Sequence, residues 1–380
     1  MMALPASLPT SASPPRLTLN VDGQAFVGWV EATVERGCDA FAHSCNLRYL
    51  DQWSTKMESW KIRGGAECTL TWRDKTLITG YVDRPAFQLR GDQFELQAAF
   101  RSRTGDVVDA SAVHETGSWQ KQTAGKIVGD LLKPYGLNVT VDGEDTPFPT
   151  FALREGETVF QAIDRVCKVR ALLPITTATG DVRLYSTSGG GAAGALGGAL
   201  AGVGLGKVRG FPVGDAISRS YVDDTTMRHS EYLTRSTGIT DEVDALARGA
   251  AQDTGVARFR PLVVIGDAPA GTVEAELRAI WEANIRYGKG ERLIYEILGV
   301  ETPDGDVYEH ATRWHVQDAF FGVDLEMVLA KSTIVSHANT LFTRLEFTRP
   351  EAYSQEQLGS KASRKIVQKT KQKLRTKAGL

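Results

Sequence analysis

The sequence predicts an α+β, β-rich fold: two similar small β-barrel domains with α/β inserts between them. Two observations carry this. Short apolar–polar alternations broken by turn signals fill residues 17–105 and return over 291–353. Helical apolar stripes, in contrast, are confined to the middle of the chain. At 380 residues there is length for several cores. The expected organisation is an extended N-terminal arm (1–16), a first β-barrel domain (17–105), an α/β insert (106–187) and a Gly/Ala-rich flexible segment (188–212). A mixed α/β domain (213–290), a second β-barrel region (291–353) and a basic C-terminal tail (354–380) follow.

Pro5, Pro9, Pro14 and Pro15 mark the arm as extended, and it lacks the basic patch and apolar core of a signal peptide. Leu17, Leu19 and Val21 then alternate up to Asp22-Gly23, a strong hairpin signal, and Phe26 to Val34 returns. Cys68, Leu70 and Trp72 alternate to a turn at Asp74-Lys75, followed by Leu77 to Val82. Phe87-Gln-Leu89 and Phe94-Glu-Leu96 flank Gly91-Asp92. A flat open sheet built from so many short strands would leave long exposed edges, which favours barrels.

The insert opens with a helix from about Thr123 to Lys133, whose inner face is Ile127, Val128, Leu131 and Leu132 and which Pro134 and Gly136 end. A short strand, Asn138 to Val141, comes next. Thr158 and Gln161 form a capping box before a stripe of Val159, Ile163, Val166 and Cys167. Pro174 cannot continue a helix, so a turn is expected there. Gly180-Asp181 marks another turn, and Val182 and Leu184 read as a half-buried strand.

Residues 189–206 hold nine glycines and five alanines. Each glycine costs about 1 kcal/mol in a helix relative to alanine, so a free helix is not stable. A flexible linker, a segment ordered by a partner or a lumen, and a membrane-inserting segment are the competing readings. A Walker motif fails because Ala201 and Val208 stand where it needs Gly and Ser or Thr. Further on, Ala216 to Val222 reads as a strand, Asp241, Glu242 and Asp244 as an acidic segment, and Leu262 to Ile265 as an apolar run. Val273, Leu277, Ile280 and Trp281 share one face of a helix that starts at Thr272 and closes at Gly288. Ile294–Val300, Trp314–Val316, Leu325–Leu329 and Leu341–Phe347 are the closing strands.

The net charge is −2, yet no acidic residue follows Glu356. The tail carries Lys361, Arg364, Lys365, Lys369, Lys371, Lys373, Arg375 and Lys377, leaving an acidic body. That asymmetry argues against a nucleic-acid footprint across the body. The tail reads as a solvated arm or, since Ile366, Thr370 and Leu374 share a face, as a weak amphipathic helix docking on an acidic partner; nucleic-acid contact is the third option.

Chemistry is not legible. Cys38, Cys45, Cys68 and Cys167 make no paired spacing and read as buried free thiols in a reducing compartment. His310 and His315 suit no metal pattern, Asp223-Asp224 reads as a turn or solvated edge, and no GxSxG elbow is present. The seven tryptophans (Trp29, Trp53, Trp60, Trp72, Trp119, Trp281, Trp314) read as core or interface anchors before a sugar-binding groove. No catalytic residue, cofactor or metal site is expected.

Four stretches resemble the Mu-type phage tail protein P family, the baseplate hubs of contractile tails, and more distantly the central hubs of larger myophages and type VI spikes. They are GGAECTLTWRDKTLITGYVDRP (Gly64–Pro85), TAGKIVGDLLKPYGLNV (Thr123–Val139), REGETVFQAIDRVCKVRALLP from Arg154, and AISRSYVDDTTMRHSEYLTRS (Ala216–Ser236). With the closing strands to Tyr353 they span most of 17–353, in family order. The Gly/Ala-rich segment is not a family hallmark.

The resemblance implies a ring-forming hub, a homotrimer in which two similar barrels per subunit present six equivalent faces. Such a ring joins a sixfold tail tube to a threefold spike. The implied partners are the tail tube protein, the central spike protein, baseplate wedge proteins and the tape measure protein, with DNA passing through the lumen without specific binding. Its implied place is the virion's tail baseplate, after assembly in the bacterial host cytoplasm. The competing functions are a tail-tip peptidoglycan hydrolase, a carbohydrate-binding tip protein, and the hub of a type VI or tailocin-like particle.

Overall fold

The computed structural model describes residues 17–52, 62–142, 145, 147–170, 172–186, 208–237, 246–266, 272–337 and 340–353. In the first β-rich region, β1 (Leu17–Val21) and β2 (Gln24–Phe26) meet at Asp22-Gly23, both at positive φ (49° and 79°), as a two-residue hairpin requires. β3 (Glu31–Gly37), β4 (Ala40–Gln52), β5 (Glu67–Trp72), β6 (Lys75–Arg90) and β7 (Gln93–Ser102) follow. The β5–β6 turn falls on Arg73-Asp74, one residue earlier than its composition signals, with Arg73 left-handed. All pairings are antiparallel, in the order β2-β1-β5-β6-β7-β4-β3. Leu19, Val34, Leu70, Ile78, Val82, Leu96 and Phe100 fill the core beneath. Gly80 is required where β6 runs against β7, because a Cβ there would overlap the Arg101 carbonyl.

The insert comprises α1 (Thr104–Asp109), β8 (Ser118–Gln122), α2 (Ala124–Leu132), β9 (Val139–Asp142), β10 (Phe148–Ala152), α3 (Val159–Arg170), β11 (Leu172–Thr176) and β12 (Val182–Ser186). At the start of α2 the Thr123 hydroxyl accepts from the Lys126 amide. The Asp145 carboxylate accepts from Ala124 and Gly125 N–H at 2.7 and 2.8 Å, satisfying donors the helix cannot satisfy itself. α3 opens with the capping box: Thr158 N–H donates to Gln161 Oε1 (2.9 Å) and Gln161 N–H to Thr158 Oγ1 (3.2 Å). Val159, Ile163, Val166 and Cys167 are buried with Ile127, Val128 and Leu131 in one core. Pro174 does not turn the chain. It lies inside β11, opposite Leu184, and β11 is the edge of a three-stranded sheet, where a missing N–H costs no ladder bond.

The last part contains β13 (Arg209–Gly210), β14 (Ala216–Asp223), β15 (Glu231–Thr237), β16 (Leu246–Gln252), β17 (Pro261–Gly266), α4 (Thr272–Gly290), β18 (Glu291–Leu298), β19 (Arg313–Asp318), β20 (Val323–His337) and β21 (Thr340–Thr348). β15, β16 and β17 make a small sheet of their own, packed against α4. The buried face of α4 is small: Ala275, Ala279 and Ala283, pressed so close to β16 that Gly249 has no room for a Cβ. Ile280 and Trp281, read as sharing one face with Val273 and Leu277, are half-buried, and the side chains of Val273 and Leu277 lie outside the described residues. Close helix–sheet approach, not bulk, set the orientation of this helix.

β20 pairs with β3 from Lys331↔Gly37 to His337↔Glu31. The two β-rich regions are therefore one 13-stranded sheet, with β14 and β2 at its ends. Among the described strands no pair closes either region into a barrel. The β3–β20 ladder stands where a closing pair would, since it uses the edge of each region.

Candidate assembly interface

The sequence candidates for partner binding, Lys361, Arg364, Lys365, Lys369, Lys371, Lys373, Arg375 and Lys377, lie outside the described residues. So do the arm 1–16, the segment 189–206, Trp53, Trp60 and the acidic Asp241, Glu242 and Asp244. The other residues singled out are dispersed. His315 Nε2 sits 2.8 Å from Asp324 on the exposed face of β19, whereas His310, five residues earlier, is buried. Asp223 ends β14, while Asp224 accepts from the Thr226 amide and hydroxyl at 2.8 and 2.6 Å, a solvated turn. Trp72, Trp119 and Trp314 are core residues.

The four cysteines are each buried. Desolvation first of all pushes the Cys68 thiol up to about 12 and raises the other three as well, so none is primed as a nucleophile.

The pairing registers reveal a repeat. The order β5-β6-β7-β4-β3 in the first region returns as β19-β20-β21-β18-β14 in the second. Arg90↔Gln93 closes the β6–β7 hairpin as His337↔Thr340 closes β20–β21. Walking outward, the row Val82–Phe100–Cys45–Val34 corresponds to Leu329–Phe347–Leu293–Tyr221. Both long strands carry a bulge at the next step, between Val82 and Arg84 and between Leu329 and Lys331. After its bulge β20 leaves β19 and takes β3 as partner. β6 likewise leaves β5 after Tyr81, but its remaining half has no second strand among the described residues.

Among the described residues, two edges of the repeated unit are thus open, the Arg84–Arg90 half of β6 and the outer side of β14. Every residue of these two stretches is at least partly solvent-exposed. Where the edges are joined within the chain, Val34 and Ile334 face each other at 0% exposure. Their counterparts on the open edges, Tyr221 and Phe87, are 39% and 48% exposed.

A buried polar cluster locks the joined edge to the insert. Arg36 on β3 donates to the Tyr308 carbonyl (2.7 Å) and Glu309 Oε2 (3.2 Å). The rings of His43 and His310 stand edge to face at 4.6 Å, and desolvation lowers both, His310 to about 4. The hydroxyls of Thr104 (2.9 Å) and Thr176 both donate to the Phe41 carbonyl. The cluster ties β3, β4, α1 and β11 to the Tyr308–His310 segment.

Residues 16–102 match the family model of the Mu phage baseplate assembly protein GpP-like N-terminal domain, and residues 104–186 match that of the baseplate hub protein gp44-like second domain. The chain is 27% identical over 352 residues to the baseplate hub protein gp44 of Escherichia phage Mu, covering 89% of this chain and 88% of that one. The chain is thus similar to the Mu-type baseplate hub proteins over most of its length. Two solved structures share its fold. One is the 43 kDa tail protein of prophage MuSo2 from Shewanella oneidensis (TM-score 0.78, 21% identity, 90% of this chain and 100% of that one). The other is the tail protein of Neisseria meningitidis MC58 (TM-score 0.70, 16% identity, 90% and 99%).

The basic tail stood out by charge, whereas Phe87, Leu89, Ile217 and Tyr221 alternate as ordinary strand residues do. The usable signal was Arg84-Pro85 midway along a long strand, since proline in a ladder belongs to edges.

Proposed function

We propose that the chain is a structural hub of a contractile phage tail baseplate: a homotrimeric ring that adapts a sixfold tail tube to a threefold central spike, with no catalytic role. The observation that carries this is the repeated strand order within one chain, joined at one edge and open at the other. Two barrel-like modules per subunit give three copies six comparable faces, and head-to-tail contacts around one axis close a ring. The likeness to hub proteins supports a place in the virion's tail, reached after assembly in the host cytoplasm. Tube, spike, wedge and tape measure proteins are the partners, and the acidic body lines a lumen that repels passing DNA.

Light scattering after size exclusion, at rising protein concentration and with the spike protein added, tests the reading. A mass of three chains is expected. A monomer under all these conditions, or a tail particle assembled normally without this chain, overturns it.

A further inference from the structure

We propose that β14 of one copy adds as a strand to the open half of β6 in the next copy, antiparallel, with Phe87 opposite Tyr221. The register follows from the joined edge inside the chain. There β20 presents Lys331–His337 to β3, with Ile334 opposite Val34. By the row correspondence, β6 stands for β20 and β14 stands for β3, so Arg84–Arg90 meets Ser218–Asp224. Leu89 falls opposite Arg219, and Arg84 opposite Asp224.

Side-chain direction agrees with this register. Tyr221 lies opposite core residue Leu293, and Phe87 lies opposite core residue Leu96, so both half-exposed rings point to the core side of the sheet. Joining the edges continues one apolar row across two copies. The charges also match: Arg84 stands across from Asp224, and the internal joint likewise carries an ion pair, Lys331 with Glu35 (3.2 Å), set diagonally because Lys331 lies opposite Gly37. Pro85, opposite Asp223, offers no N–H, which limits promiscuous pairing of this edge in the free subunit. The strand pairing deepens the ring reading and depends on it only for closure into three.

Directly opposite residues in an antiparallel pair stand about 4.5–5.5 Å apart at Cα, within disulfide range. The test is the full chain carrying Phe87→Cys and Tyr221→Cys, oxidised and run on a non-reducing gel, beside the offset pair Gln88→Cys and Tyr221→Cys. The native cysteines are buried and do not compete. Phe87 and Tyr221 are partly exposed, and circular dichroism of each single variant verifies folding. A covalent trimer from the first pair, absent from the offset pair, is expected. An open-ended covalent ladder keeps the register and removes the closed ring. A non-covalent trimer by light scattering with no cross-link, or equal cross-linking of the offset pair, overturns the register and leaves the ring. A monomer with no cross-link overturns both.

Discussion

β3 and β14 hold the same place in two copies of one strand order, yet one is interior and the other is an edge. β3 (EATVERG) buries Ala32, Val34 and Arg36, because β4 lies on one side and β20 on the other. Among the described strands β14 (AISRSYVD) has β18 alone beside it, and it buries no residue. The difference teaches that burial here is a property of the neighbour, not of the strand. Val34 and Tyr221 sit in equivalent rows over equivalent cores, and only Val34 has a second strand to cover it.

The comparison breaks most visibly with a charge. Val34→Asp places an unpaired carboxylate in the sealed joint, and a loss of about 4 kcal/mol or more is expected, read as insoluble protein or a collapsed urea midpoint. Tyr221→Asp changes the isolated subunit by less than about 1 kcal/mol. Equal losses for the two would show that β14 is already covered.

Truncation sharpens it next. Ile334→Ala costs about 3 kcal/mol by urea denaturation, since the cavity it leaves is closed on all sides. Phe87→Ala costs under about 1 kcal/mol, because its ring is half in water already. If Phe87→Ala proved the worse of the two, the strand correspondence would fail.

The pH dependence distinguishes the two regions again. His43, one step beyond the matched rows on β4, corresponds to Glu291 on β18, which is ion-paired with Arg349. The His43 ring faces His310 and Arg36, its backbone N–H donates to the Ser102 hydroxyl, and Glu309 lies 3.8 Å from His310. Both rings are held neutral by burial, so below the ordinary histidine value of 6.5 the unfolded chain binds more protons than the folded one. Stability is full above pH 6.5 and falls as pH drops toward about 4, with His310 contributing roughly 3 kcal/mol. Thermal melts of wild type and His310→Gln between pH 7 and 4 measure this. Parallel curves for the two would remove His310 as the cause.

The smallest effect belongs to the insert, away from both edges. Thr158→Ala removes the hydroxyl that caps α3 and is expected to lower stability by about 1 kcal/mol, with Gln161→Ala costing no more. A change beyond about 3 kcal/mol in either would mean the cap also holds the insert to its neighbours.

Local chemistry by itself determined the elements whose hydrogen bonds close within a few residues. The capping box at Thr158 and Gln161, the Asp22-Gly23 hairpin and the apolar stripes of α2 and α3 were all legible, because each is complete within a turn or two of chain. The alanine face of α4 was not legible, because hydrophobic bulk indicates burial only where there is room, and Gly249 brings the sheet too close for anything larger than alanine. The Pro174 turn was misread because proline stops a helix but is equally at home on the edge of a sheet. Only the tertiary structure decided that β3 meets β20 while β14 and half of β6 stay open. Strand pairing is made between segments hundreds of residues apart, and an alternating sequence carries no mark of which neighbour will cover it.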